Sequence, residues 1–116
     1  MGAYTQGKKV AGDYDSGWQK ITLTSAVTQH TILVPMMRKI GNEVQLKGAI
    51  NMTAPGTIAT LPYKPVDEFG FNCSQLSTTP GQNANVYLET DGTLQLIYAS
   101  TYEKGVWLNE IHYFIN

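Results

Sequence analysis

The chain is written in short runs of period two, cut at regular spacing by glycine or proline. No segment repeats apolar residues every 3.6 positions over three turns, so no helix of ordinary length is available to build a core. In residues 43–48, Glu43, Gln45 and Lys47 alternate with Val44, Leu46 and the small Gly48, which puts Val44 and Leu46 on one face of a strand. Residues 85–89 alternate in the same way. Gly41-Asn42 and Asp91-Gly92 separate pairs of such runs, and both tolerate the positive φ that a tight hairpin turn demands. Pro35 and Pro62 stop runs and Pro55 lies in a break, because proline takes a donor out of the ladder. Many short strands joined by such turns predict an all-β fold, a small antiparallel β-barrel or jelly-roll-like sandwich.

The runs expected to be strands begin at Trp18, Ile21 and Leu23 and continue with residues 31–34. A hairpin over 36–48 follows, its second strand extending through 49–52. Further strands are expected at 57–61, 68–74, 85–89 and 94–98, with 106–115 as a last strand or strand pair. Phe69, Phe71 and Cys73 share a face. Residues 75–84 and 99–105 read as surface loops. Residues 1–14 have no periodicity and read as an N-terminal arm or linker, leaving 15–116 as the domain. The opening Met1 is compatible with a start placed before the C-terminal piece of a longer protein, and no signal-peptide pattern follows it.

With 116 residues the chain makes one domain, large enough to bury a core without a disulfide or metal. Eight cations against nine anions leave no basic surplus for neutralising phosphates, so nucleic acid is not an expected partner. No apolar stretch approaches the roughly 18 residues of a membrane span, and no membrane insertion is expected. Charged residues are 15% of the chain, against about 25% in an ordinary soluble domain. Thr, Gln, Asn and Ser, 32 residues together, fill the surface instead.

Cys73 is the lone cysteine and reads as a small buried hydrophobe. His30 and His112 sit in strand-like segments, with no spacing that makes a zinc site with Cys73. A phosphate-cradling loop, a nucleophile elbow and a zinc-binding helix motif are all missing from the sequence, and its carboxylates are scattered. The reading is a non-enzyme with no cofactor and no metal.

Alternation also singles out candidate binding residues. If Val86 and Leu88 face the core, Tyr87 and Glu89 point outward together, and the return strand presents Gln95 and Ile97. Trp107, between Val106 and Leu108, lies off the core face and is a candidate stacking platform for a ligand. Tyr102, in the loop before the last strand, and His112 are further candidates. Trp18 reads as a packing anchor where the chain enters the domain. Ile97, Trp107 and Phe114, all off the core face, suggest a surface that a partner covers.

Several motifs occur in a recognisable order. Arg38-Lys39-Ile40-Gly41-Asn42 precedes the alternation to Gly48, Thr60-Leu61-Pro62 leads to Pro65, and residues 86–94 carry the Asp91-Gly92 hairpin. The chain closes on Trp107-Leu108 and Ile111, and Asp15-Ser16-Gly17-Trp18 fits the opening. Over residues 15–115 this set resembles the C-terminal head domain of receptor-binding, tail-fibre and baseplate proteins from phages of Gram-positive bacteria, of the lactococcal-phage type. The resemblance implies a homotrimeric head at a virion's tail tip or baseplate, adhering to a host cell-wall saccharide without catalysis. The alternative it allows is a structural module that binds other phage proteins. Lactococcal heads carry a His-x-Asp pair on one strand, joined by a downstream aromatic and an arginine. Tyr87 and Glu89 stand at the places of that pair, and the arginine has no counterpart here.

Overall fold

The two turn signals, Gly41-Asn42 and Asp91-Gly92, join two of the antiparallel hairpins of the computed structural model. Gly41 and Gly92 both have positive φ, 59° and 92°, as those turns require. The structure describes residues 15–77 and 79–115, so the expected arm at 1–14 lies outside the described residues.

In chain order the strands are β1 (Gln19–Lys20), β2 (Thr28–Gln29), β3 (Met36–Ile40), β4 (Glu43–Lys47), β5 (Ala49–Asn51) and β6 (Gly56–Thr60). There follow β7 (Phe69–Ser74), β8 (Asn83–Leu88), β9 (Thr93–Ala99), β10 (Val106–Trp107) and β11 (His112–Phe114). They form three antiparallel sheets with orders β1-β3-β4-β11, β10-β5-β2 and β6-β9-β8-β7. The all-β antiparallel class predicted from alternation is the observed one.

The sheets share one core. Val44 and Leu46 meet Ile50, Ile58, Val86, Leu88, Leu94, Leu96 and Val106 there, all of them buried. Leu108, Ile111 and Tyr113 also belong to it, and the Tyr113 hydroxyl donates to the carbonyl of Tyr63 at 2.6 Å, so its side-chain polar atom is satisfied. Isolated bridges from Leu23 to Ala59 and from Gln75 to Val106 stitch the sheets to one another.

Four local expectations need correction. First, residues 49–52 do not extend β4. Gly48 takes φ +100°, and the chain leaves one sheet for another, where β5 pairs with β2 and β10. Second, the β-branched run at 31–34 is not a strand. The His30 imidazole Nδ1 accepts the amides of Ile32 and Leu33 at 3.3 and 3.1 Å, which turns the backbone away from a ladder and leaves Ile32 83% exposed. The strand in this region is β2, just upstream.

Third, the loop expected over 75–84 is shorter. Gln75 is buried, its amide donating to the Thr101 carbonyl (2.8 Å) while its Oε1 accepts the Thr101 amide (3.1 Å), and β8 starts at Asn83. Fourth, two bulges interrupt simple alternation. Ile58 is the extra residue on β6, so Ile58 and Ala59 are both buried. Ile97 is the extra residue on β9, so Ile97 and Tyr98 are both exposed.

Two predictions follow from this packing. A Cβ on Gly48 would collide with the Val34 carbonyl oxygen and stand 2.8 Å from Pro35 Cα, in a backbone conformation that L-residues avoid. Gly48→Ala therefore lowers stability by about 3 kcal/mol, read as a fall in the chemical-denaturation midpoint. The second concerns alkali. Cys73 is buried, and burial, followed by the nearby charge of Glu110, pushes its thiol up to about 12 from the ordinary 9.0. Burial also raises the Tyr113 phenol. Between pH 9 and 12 the unfolded thiol has lost its proton while the folded one keeps it, so stability complete below pH 9 falls as pH rises toward 12. Denaturation midpoints across this range decline, and Cys73→Ala declines less steeply, by the equivalent of about one proton.

Candidate functional site

The first candidate face is the outside of the β6-β9-β8-β7 sheet. Register aligns Thr57, Gln95, Tyr87 and Gly70 in one row across the four strands. Tyr87, Glu89 and Gln95 are therefore together, as alternation predicts. Their polar atoms are already engaged with protein. Gln95 Nε2 donates to Glu89 Oε2 at 3.0 Å, and the Tyr87 hydroxyl donates to Glu68 Oε1. That bond to a carboxylate holds the Tyr87 phenol above its ordinary value, with partial desolvation and the charges of Glu68, Glu89 and Asp67 adding to it. Ile97 and Tyr98, each about half exposed, lie further along β9.

The second candidate face is built around the two tryptophans. Trp107 stands opposite Ala49 on β10, with Val106 and Leu108 on either side turned into the core. It lines a groove of about 320 Å³, within the size range of small-molecule sites. The irregular segment of Ile32, Leu33 and Val34 forms one wall with Met36, while Lys47, Gly48 and Asn109 complete the lining. Among the described residues no cation or aromatic ring lies over the Trp107 indole.

Asn109 also lines a neighbouring recess of about 240 Å³, with Trp18, Glu43, Gln45 and His112. The outer face of β3, β4 and β11 supplies these groups: Arg38, Gln45 and His112 are in one cross-strand row. Arg38 Nε donates to Gln45 Oε1 at 3.1 Å, and its guanidinium pairs with Asp15 at 3.6 Å. His112 Nδ1 lies 3.3 Å from Glu43 Oε2. Trp18 packs at the entry to the domain, against two cations on the sheet surface. It is 37% exposed, with Lys47 Nζ 4.3 Å and Arg38 Cζ 4.7 Å from its ring centroid. It fixes two cations beside the grooves rather than offering a bare ring.

Tyr102 packs against the core half-buried and lines neither groove. Its neighbour Glu103, at φ +71°, lines a third, smaller recess with Thr28, Asn51 and Thr53. There the buried Asn51 Oδ1 has no hydrogen-bond partner. Among the described residues no three His, Cys, Asp or Glu gather as a metal site. Sequence reasoning reached Trp107 and His112 but missed Lys47, Asn109 and the groove role of Trp18. Those three are brought together by register and by the corner at Gly48, not by proximity along the chain.

No family model matches the sequence, and no curated protein matches it. Among solved structures, the chain is similar to the receptor binding protein (gp15) of Listeria phage PSA. The TM-score is 0.78 at 20% identity, over 90% of this chain and 67% of that one. At that identity the likeness is one of fold, and it gives this all-β domain the architecture of a phage receptor-binding protein.

Proposed function

We propose that this domain is the adhesion module of a phage receptor-binding protein, carried on the tail of the virion, and that it holds a host cell-wall saccharide without cleaving it. The observation that carries the reading is the fold shared with a phage receptor binding protein over 90% of the chain. The Trp107 groove is the site this reading favours. The half-buried Trp107 indole, with no cation or aromatic ring over it among the described residues, offers a face for the apolar side of a sugar ring, and Asn109, whose Oδ1 already accepts the Gly48 amide, offers its Nδ2 to hydroxyls. His112, Gln45 and Glu43 extend the polar lining from the neighbouring recess. The face of Tyr87, Glu89 and Gln95 is the rival location. Its polar groups would have to give up their bonds to one another to take a ligand.

The domain acts as a homotrimer in this reading. Ile97 and Phe114 are each about half exposed, and so is Tyr98. Large apolar groups left in water are a reason for a second copy or another phage protein to cover them. The same surfaces suit the second reading, a structural module of fibre or baseplate.

Binding to cell walls from a panel of Gram-positive bacteria, Listeria included, tests the proposal. Wild-type protein is expected to bind some of them and to release no reducing ends. Trp107→Ala weakens that binding by tenfold or more, about 1.4 kcal/mol, while Tyr87→Ala stays within about twofold. Loss confined to Tyr87→Ala would move the site to the rival face. A chain that binds no wall but captures a baseplate or fibre protein belongs to the structural reading. Light scattering in solution is expected to give three times the chain mass; a monomer at high concentration overturns the trimer.

A further inference from the structure

We infer that the Trp107 groove takes a saccharide bearing an acidic group, a phosphate or a carboxylate, and that Lys47 is the residue that reads its charge. The inference rests on the adhesion reading and narrows its ligand. Among the described residues, Lys47 is the only charged side chain that lines the groove. Among the described residues no carboxylate lies within 4.0 Å of its ammonium. The carboxylates of the same sheet face are engaged elsewhere, Asp15 by Arg38 and Glu43 beside His112.

The ammonium is also held in place. Its Nζ stands 4.3 Å from the Trp18 centroid, and Arg38 shares that ring. An indole face attracts a cation but takes none of its hydrogen bonds, so among the described residues nothing takes the three N–H donors, which are left to water or ligand. Lys20 adds a second ammonium in the same cross-strand row, through Met36. A neutral sugar on Trp107 would leave the Lys47 ammonium unmatched. A sugar with an acidic substituent would place its ring on the indole and its anion on Lys47, where a charge-assisted hydrogen bond forms beside apolar surface. Trp18 acts as a positioning residue, setting where the ammonium stands.

The test uses wall polysaccharide that the wild-type chain binds, either intact, after hydrofluoric acid removal of phosphate, or after chemical reduction of its carboxylates. One of the two treatments is expected to weaken wild-type binding about tenfold, which identifies the anion. Lys47→Met weakens binding of the intact polymer by a similar factor and no longer distinguishes intact from treated material. Lys47→Arg keeps the discrimination. Wild-type affinity falls with added salt, and that of Lys47→Met does not. A merely structural Lys47 would lower binding to all three polymers equally. Equal wild-type binding to all three, or discrimination retained in Lys47→Met, overturns the inference and leaves the adhesion reading standing. Binding to no wall polysaccharide overturns both.

Discussion

The corner at Gly48 is the contact on which the rest of the molecule depends. Its Cα lies so close to the Val34 carbonyl and Pro35 that no side chain fits. Its φ of +100° ends β4 and starts β5 in a different sheet. Both its backbone groups are then used by the last part of the chain. The Gly48 amide donates to Asn109 Oδ1 at 3.0 Å, and its carbonyl accepts the Leu108 amide at 2.9 Å. One residue therefore binds residues 33–35, β4, β5 and the turn after β10 into one junction. The groove is that junction seen from outside, since Val34, Lys47, Gly48 and Asn109 all line it.

What could be read from the residues followed the range of the interactions. The hairpins of β3 with β4 and β8 with β9 were legible because a turn residue and an alternation on either side suffice to specify them. Val44, Leu46, Val86 and Leu88 fell on the core side for the same reason. Residues 31–34 were misread because a β-branched run resembles a strand, while the deciding contact is one imidazole nitrogen that accepts two amides. The bulges at Ile58 and Ile97 were invisible because either residue continues an apolar run without signalling which one is extra. Trp18 was legible as a packing residue at the entry to the domain, but local sequence does not show that its partners are Lys47 and Arg38, which arrive over its ring from β4 and β3.

The two candidate faces differ in a way that residue types alone do not reveal. Tyr87, Glu89 and Gln95 are chemically as suited to a sugar as Trp107, Asn109 and Lys47. In the first set donor and acceptor already face each other, so a ligand replaces bonds rather than adding them. In the second, among the described residues, the ammonium has only an aromatic face and no cation or aromatic ring lies over the indole. Unspent bonding capacity beside a concave apolar wall separates a site from a decorated surface. The sheet face with Ile97 and Tyr98 exposed is better matched to a protein neighbour, which can cover apolar area without taking over bonds already made.

Under the proposed function, this asymmetry gives the scarcity of charge a role. With 15% charged residues and a net charge of −1, the domain projects little field beyond the roughly 8–10 Å over which salt screens it. An anionic wall would not draw it in from a distance, and a strongly basic surface would hold it to any anionic polymer it met. A single ammonium held by an indole at the edge of a groove acts only on a ligand already seated there. Under the proposed function, specificity would come from the match between ring and acid on one sugar. Strength would come from repeating a modest contact on several copies against a repetitive surface, where the second binding event is intramolecular. An uncharged polar surface would keep wrong anions weak, and multivalency would let the right one be tight without a strong single site.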